Sequence, residues 1–211
     1  MKIALIGATG FVGSKVLAEA LQRRHQVTAL ARTPSKLAAQ PGLTVVQADA
    51  SDADPITQAV KGHDAVVSTY NVRGAADFRT AYLGGLKAAM EGARRAGVKR
   101  LLWVGGAGSL YVAPGVQLVD TPQFPAEYKT EALAARDALA QIREEKDLEW
   151  TFVSPAPILQ PGPRTGRFRL GGDQVLEGEQ PGRISVDDLA VAIVDELETP
   201  RHERQRFTLA Y

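Results

Sequence analysis

The chain has 211 residues, of which 45% are hydrophobic and 23% charged, and its formal net charge is +1. That length and balance suit one globular domain with a full core, and a charge so close to zero provides no field for nucleic acid or an acidic membrane. Cysteine is absent, which excludes disulfides, thiolate metal sites and cysteine nucleophiles, and His25, His63 and His202 lie too far apart for a histidine metal site, so no metal is expected.

Residues 3–6 form a short apolar run that reads as a buried strand and leads directly into Gly7-Ala8-Thr9-Gly10-Phe11-Val12-Gly13. A helical pattern starts at once, with Val12, Val16, Leu17, Ala20 and Leu21 spaced by three and four. Strand, glycine turn and helix N-terminus together make an anion site of the dinucleotide-binding kind, because backbone N–H groups and the positive end of the helix dipole converge there. Further strands are expected at 27–31, Leu43–Gln47, Ala65–Ser68 and Arg100–Val104. Helices are expected from Asp54 to near Gly62 and over 77–96, the second closed by Gly97.

The alternation then stops. Residues 110–125 hold three prolines and show no period, which reads as a long functional loop. A helix over 126–145, a strand over 149–154 and Pro155-Ala156-Pro157 follow. Residues 158–182 are rich in Gly, Pro and Arg, with a short strand expected at 167–170. Ser185 and Asp188 read as the cap of a last helix with an apolar stripe from Val186 to Leu197, and 206–211 as a closing strand. Alternating strands and helices predict an α/β fold: a doubly wound parallel sheet with helices on both faces. One domain is expected over 1–211, with a small C-terminal substrate region and substrate-side loops at 107–125 and 156–183. With no apolar run of spanning length and no signal-like start, a cytoplasmic protein is expected.

Arg32 is the most informative single residue. It stands just past the second strand, nineteen positions after Gly13, where an acidic residue would bind the ribose 2′-hydroxyl of NAD and an arginine would accommodate the 2′-phosphate of NADP. No Asp or Glu lies between Val27 and Leu43, so NADPH is expected over NADH. Asp49 either accepts from the adenine amino group or serves as a turn residue. Ser68, Thr69 and Tyr70 leave the fourth strand where the pyrophosphate and nicotinamide ribose would lie, although Tyr70 can equally be packing. Tyr111 and Phe124 either roof an acceptor pocket or pack on the surface. Arg164, Arg167 and Arg169 either bind an anionic group or form a solvated face. Trp103 and Trp150 read as core, and Lys87 as projecting from the long helix toward the cofactor.

GATGFVG at the N-terminus, ALARTPSKL after the second strand, QADASD after the third, VGGAGS after the fifth and VSPAPIL after the sixth resemble the atypical short-chain dehydrogenase/reductase superfamily. Within it, the chain is similar to short members related to NmrA-like proteins, flavin reductase and biliverdin reductase B. The resemblance implies a Rossmann fold with Gly7, Thr9, Gly10, Phe11 and Val12 at the pyrophosphate, Arg32 at the 2′-phosphate, and Ser68 and Thr69 at the ribose. It also implies that Gly105, Pro155 and Ala156 lie near the nicotinamide. The Tyr-x-x-x-Lys pair of many relatives is not evident: Tyr128 is followed four positions later by Ala132. Ser109 and Lys129 come nearest to the serine and lysine positions and are the catalytic candidates. An NADPH-dependent reductase acting on a conjugated acceptor such as flavin or quinone is expected. A non-catalytic NADP(H) redox sensor with a protein partner, or a sugar-nucleotide epimerase or dehydratase, are the alternatives.

Overall fold

Four adjacent strands bury side chains on both faces, and that places core on each side of a single sheet. The computed structural model describes residues 1–177 and 182–211; part of the second irregular segment, 178–181, lies outside the described residues. In chain order the elements are β1 (Lys2–Ile6), α1 (Gly13–Gln22), β2 (Gln26–Ala31), β3 (Leu43–Gln47), α2 (Ala53–Val60), β4 (Ala65–Ser68), α3 (Phe78–Ala96), β5 (Arg100–Val104), β6 (Tyr111–Ala113), β7 (Val116–Gln117), α4 (Ala126–Arg143), β8 (Glu149–Pro155), β9 (Ile158–Gln160), β10 (Arg169–Gly171), β11 (Arg183–Ser185), α5 (Val186–Glu198) and β12 (Gln205–Ala210).

The main sheet runs β10-β12-β8-β5-β4-β1-β2-β3. Ile3, Leu5, Val67, Leu102 and Val153 pack beneath α1 and α5. Ala4, Ile6, Val66, Leu101, Trp103 and Phe152 pack beneath α2, α3 and α4. Strands covered on both faces need apolar residues at every position, which is why they read as continuous runs in the sequence. Caps fix the helix starts: the Asp77 carboxylate accepts from Thr80 N–H at 3.0 Å, and the Ser185 hydroxyl accepts from Asp188 N–H at 2.9 Å.

The expected doubly wound parallel sheet is present, with one antiparallel pair at its edge, where β10 runs against β12. An edge strand outside any β-helix-β crossover is free to run in reverse. One expectation needs correction, since residues 110–125 are not wholly irregular: β6 and β7 form a small hairpin, and Leu118 N–H donates to the Leu110 carbonyl at 2.8 Å, closing the segment on itself.

At the amino end of β5, on the opposite side of the sheet from the strands' carboxyl ends, β5 and α5 are tied by a buried ion pair. Arg100 donates to Glu196 Oε1 at 2.9 Å and to Thr151 Oγ1 at 2.7 Å. Glu196 also accepts from the Arg201 and His202 N–H groups, at 3.1 and 2.9 Å. Glu196→Ala leaves a buried guanidinium without its counter-charge, so it is expected to cost about 3–5 kcal/mol. A urea unfolding midpoint that stays where it is for this variant would refute the assignment.

Candidate functional site

The chain leaves β1 for β2 on one side, while β4 lies against β1 on the other, with Ile6 opposite Ser68. The carboxyl ends of these strands therefore open the crevice at which sheets of this topology take ligands. Gly7 adopts φ +87°, a conformation that side chains disfavour. A Cβ there would stand 2.5 Å from Thr69 Oγ1 and 2.9 Å from the Thr69 carbonyl oxygen. A Cβ on Gly13 would overlap the Gly7 carbonyl oxygen and lie 2.7 Å from Thr69 Oγ1. Thr69 Oγ1 donates to the Ile6 carbonyl at 3.1 Å and holds this crossing together. No side chain caps α1, and among the described residues no acceptor pairs with the N–H groups of Phe11, Val12 and Gly13. A glycine cradle under three unpaired N–H groups fits a dinucleotide pyrophosphate.

A hollow of about 460 Å³ extends from this turn and is walled by Gly7, Thr9, Gly10, Arg32, Asp49, Thr69 and Tyr70. Asp49 Oδ1 accepts from Ser51 N–H at 2.9 Å and from Ser51 Oγ at 2.8 Å. These bonds, with the Arg32 charge, hold its carboxyl below the usual range. Asp49 is thus both a turn residue and part of the wall. Tyr70 likewise has both roles: its ring lies 6.5 Å from Tyr82 and 6.2 Å from Trp103, and a Cβ on Gly85 would overlap it. Burial, then the Asp49 charge, push the Tyr70 hydroxyl up.

A second hollow, of about 520 Å³, adjoins the first, with Asn71 and Arg73 in both walls, and the two are the halves of the cleft. Gly105, Pro155 and Ala156 lie in its wall, with Phe78, Tyr82, Phe124 and Tyr128 supplying aromatic surface. Gly105 is also where the ring of Phe152 needs room, since a Cβ would overlap it. The Tyr82 hydroxyl accepts from Trp103 Nε1 at 2.9 Å and donates to the Val104 carbonyl at 3.4 Å. Burial pushes its pKa up.

Several expected residues stand elsewhere. Ser109 is buried and its hydroxyl accepts from Arg206 Nη1 at 3.0 Å, so it anchors a turn and does not reach the cleft. Lys129 and Lys87 are exposed on helix faces outside the cleft wall. The Ser68 side chain is buried, and its Oγ accepts from Tyr70 N–H at 3.3 Å. Val12 packs on the core and Phe11 stands exposed, so only their backbone N–H groups face the turn. Arg164 is bound to Glu19 through two hydrogen bonds at 2.7 and 2.8 Å, and Arg169 donates to the Tyr211 carbonyl at 2.7 Å; neither lines the cleft. Sequence reasoning missed Asn71 and Arg73, although the strand-end rule covers them. It also missed the helix face of Tyr128, Glu131, Ala132 and Ala135, whose spacings of three and four put them side by side on α4. Among the described residues no cluster of three or more His, Asp or Glu is placed to hold a metal, and no helix is long and apolar enough to cross a membrane.

The profile of the family described as NAD(P)H-binding matches residues 7–200. The Bacillus subtilis (strain 168) protein YwnB, itself uncharacterised, is 37% identical over 99% of this chain and 98% of its own. A Burkholderia pseudomallei structure, provisionally named an exported protein, superposes with a TM-score of 0.91 at 47% identity and covers both chains fully. A structure from Streptococcus pneumoniae TIGR4, provisionally named an NADH-flavin reductase, has a TM-score of 0.85 at 35% identity over 99% of this chain and 98% of that one.

Gly13→Ala tests the cradle. The added methyl must push α1 away from the Gly7 carbonyl, at about 1–3 kcal/mol for overpacking. The melting temperature should fall, and a nicotinamide dinucleotide titrated against the folded variant should bind far more weakly. Unchanged binding would remove the glycine turn from the site.

Proposed function

We propose, because this chain belongs to the NAD(P)H-binding family within the atypical short-chain dehydrogenase/reductase superfamily, that it is a reductase passing a hydride from NADPH to a flat conjugated acceptor such as a flavin or quinone. The observation that carries this reading is the pair of adjoining hollows: an anion cradle with Arg32 in the wall of one, and aromatic surface in the wall of the other. When bound, the cofactor supplies the hydride, and one proton from water completes the two-electron reduction of the acceptor. The protein's part is to hold and orient. The N–H groups of residues 11–13 take the pyrophosphate, Arg32 takes the 2′-phosphate, and Phe78, Tyr82, Phe124 and Tyr128 lie against the acceptor ring. Tyr82 keeps its proton and hands none over, because burial raises its pKa against the opposing pull of the Trp103 N–H, and its own O–H is turned to the Val104 carbonyl. Such acceptors delocalise charge and need no protein acid, which agrees with a cleft where Ser109 and Lys129 are out of reach. The name of the Streptococcus relative supports a flavin in particular. A cytoplasmic place belongs to the same proposal.

NADPH consumption is followed by the absorbance of the reduced nicotinamide, with a flavin, a small quinone or a simple aldehyde as acceptor. Saturable turnover with flavin or quinone and none with the aldehyde is the expected outcome. Tight NADPH binding without turnover of any acceptor would replace the reductase with a redox sensor. For the cofactor, Arg32→Ala removes a charge-assisted phosphate contact of about 1.5–3 kcal/mol. NADPH affinity should then fall roughly ten- to hundredfold while NADH affinity barely moves; equal losses would overturn the NADPH preference.

A further inference from the structure

The acceptor half of the cleft is almost wholly uncharged. Of the residues that line it among those described, only Arg73 and Glu131 carry charge, and they stand next to each other in its wall. Arg73 Nε lies 3.5 Å from Glu131 Oε1, with the arginine side chain 75% exposed and the glutamate 35%. The guanidinium makes no hydrogen bond to any described residue; only the Arg73 backbone is held, through its N–H to Asn71 Oδ1 at 2.9 Å. Arg73 also borders the cofactor half. Its head group is nonetheless drawn toward the acceptor half, because Glu131 lines that half alone.

An exposed pair of this length contributes little, so separating it costs little. A phosphate or carboxylate offers the same guanidinium two short charge-assisted bonds. The α4 glutamate holds the arginine over the apolar hollow until such a group arrives. A ring seated among Phe78, Tyr82, Phe124 and Tyr128 would share its hollow with this pair.

We propose that Arg73 is a specificity-determining residue that selects planar acceptors bearing an anionic tail, exchanging Glu131 for that tail. This rests on the reductase reading. Flavin mononucleotide and riboflavin test it, since they share one ring system and differ by a phosphate. In the unaltered protein with NADPH, the KM for riboflavin should exceed that for the mononucleotide about tenfold, the loss of one charge-assisted contact. Arg73→Gln should bring the ratio of the two KM values close to one, and Glu131→Gln should widen it by freeing the guanidinium. A ratio that survives Arg73→Gln would overturn the proposal, as would a loss of NADPH affinity in that variant with the flavin ratio intact, which would assign Arg73 to the cofactor. Flavin binding to NADP⁺-saturated protein, read by quenching of flavin fluorescence, decides the matter without turnover. There the mononucleotide should bind about tenfold tighter than riboflavin, and only while Arg73 is present. If no acceptor is reduced yet this difference in binding holds, the reductase reading fails and the Arg73 assignment stands. Equal binding of the two flavins to the unaltered protein sinks the Arg73 assignment whatever the turnover.

Discussion

The approach of the first turn of α1 to the Gly7 carbonyl, over the Thr69 side chain, is the constraint on which the rest of the cleft depends. Three elements meet there with no space for a Cβ at Gly7 or Gly13. That contact aims the α1 N-terminus at the crevice and leaves the N–H groups of residues 11–13 free. It also sets the path by which the chain leaves β4, and so where Tyr70, Asn71 and Arg73 stand. The same device recurs beneath the aromatic hollow. Gly85 makes room for the Tyr70 ring and Gly105 for the Phe152 ring, so missing side chains let large aromatic ones pack under the cleft. Close packing of this kind has little slack, because an added methyl at such a contact has nowhere to go.

Outside the cleft, charge and hydrogen bonding organise the irregular segments around β10 and β12, which have few apolar side chains to bury. Arg206 on β12 is buried; it donates to Ser109, to the Asp173 carboxylate and, at 3.1 Å, to the Asp173 carbonyl. The same carbonyl accepts from Tyr111 N–H at 2.8 Å. One cation thus ties the turn after β5 to the segment after β10. Asp188 does similar work: its carboxylate accepts from the N–H groups of Thr165 and Gly166, both at 2.8 Å, and from the Tyr211 hydroxyl at 2.7 Å. Burial alone would push that carboxyl up, but the hydrogen bonds outweigh it and the pKa is lowered. A buried carboxylate so satisfied fixes irregular backbone that propensity would leave loose.

What could be read from the sequence follows from this division. Strands buried on both faces announce themselves as apolar runs, and the glycine turn stands where β1 passes into α1, so the core and the turn at the head of the crevice were legible. The Ser185 cap was legible for the same local reason, its partner being three residues away. Ser109 was misjudged because its role comes from Arg206, ninety-seven residues further on, a contact no local pattern signals. Arg164 stands on a solvated face, one of its two expected readings, but its partner Glu19, 145 residues away, had no local sign. The direction of β10 was hidden because three residues at a sheet edge carry no mark of their partner's orientation. Tyr128 and Glu131 escaped notice because their helix face shows its meaning only once α4 lies against the turn after β5.

The cleft's titratable groups bear on what chemistry it suits. Tyr82 is closest to a proton donor in kind, yet its hydroxyl is saturated by Trp103 and Val104 and kept protonated by burial. Tyr70 is pushed in the same direction, so neither phenol is poised to release a proton near neutral pH. Asp49 is pushed the other way and stays ionised, its oxygen already occupied by Ser51. A ketone reduced here would need a proton from a group tuned to give one, and these shifts tune Tyr82, Tyr70 and Asp49 away from that part. A ring system that spreads the incoming charge over its own atoms makes no such demand. What it requires is a fixed distance and angle to the reduced nicotinamide, and a glycine cradle, a rigid aromatic wall and polar anchors behind it are the means by which a protein fixes both.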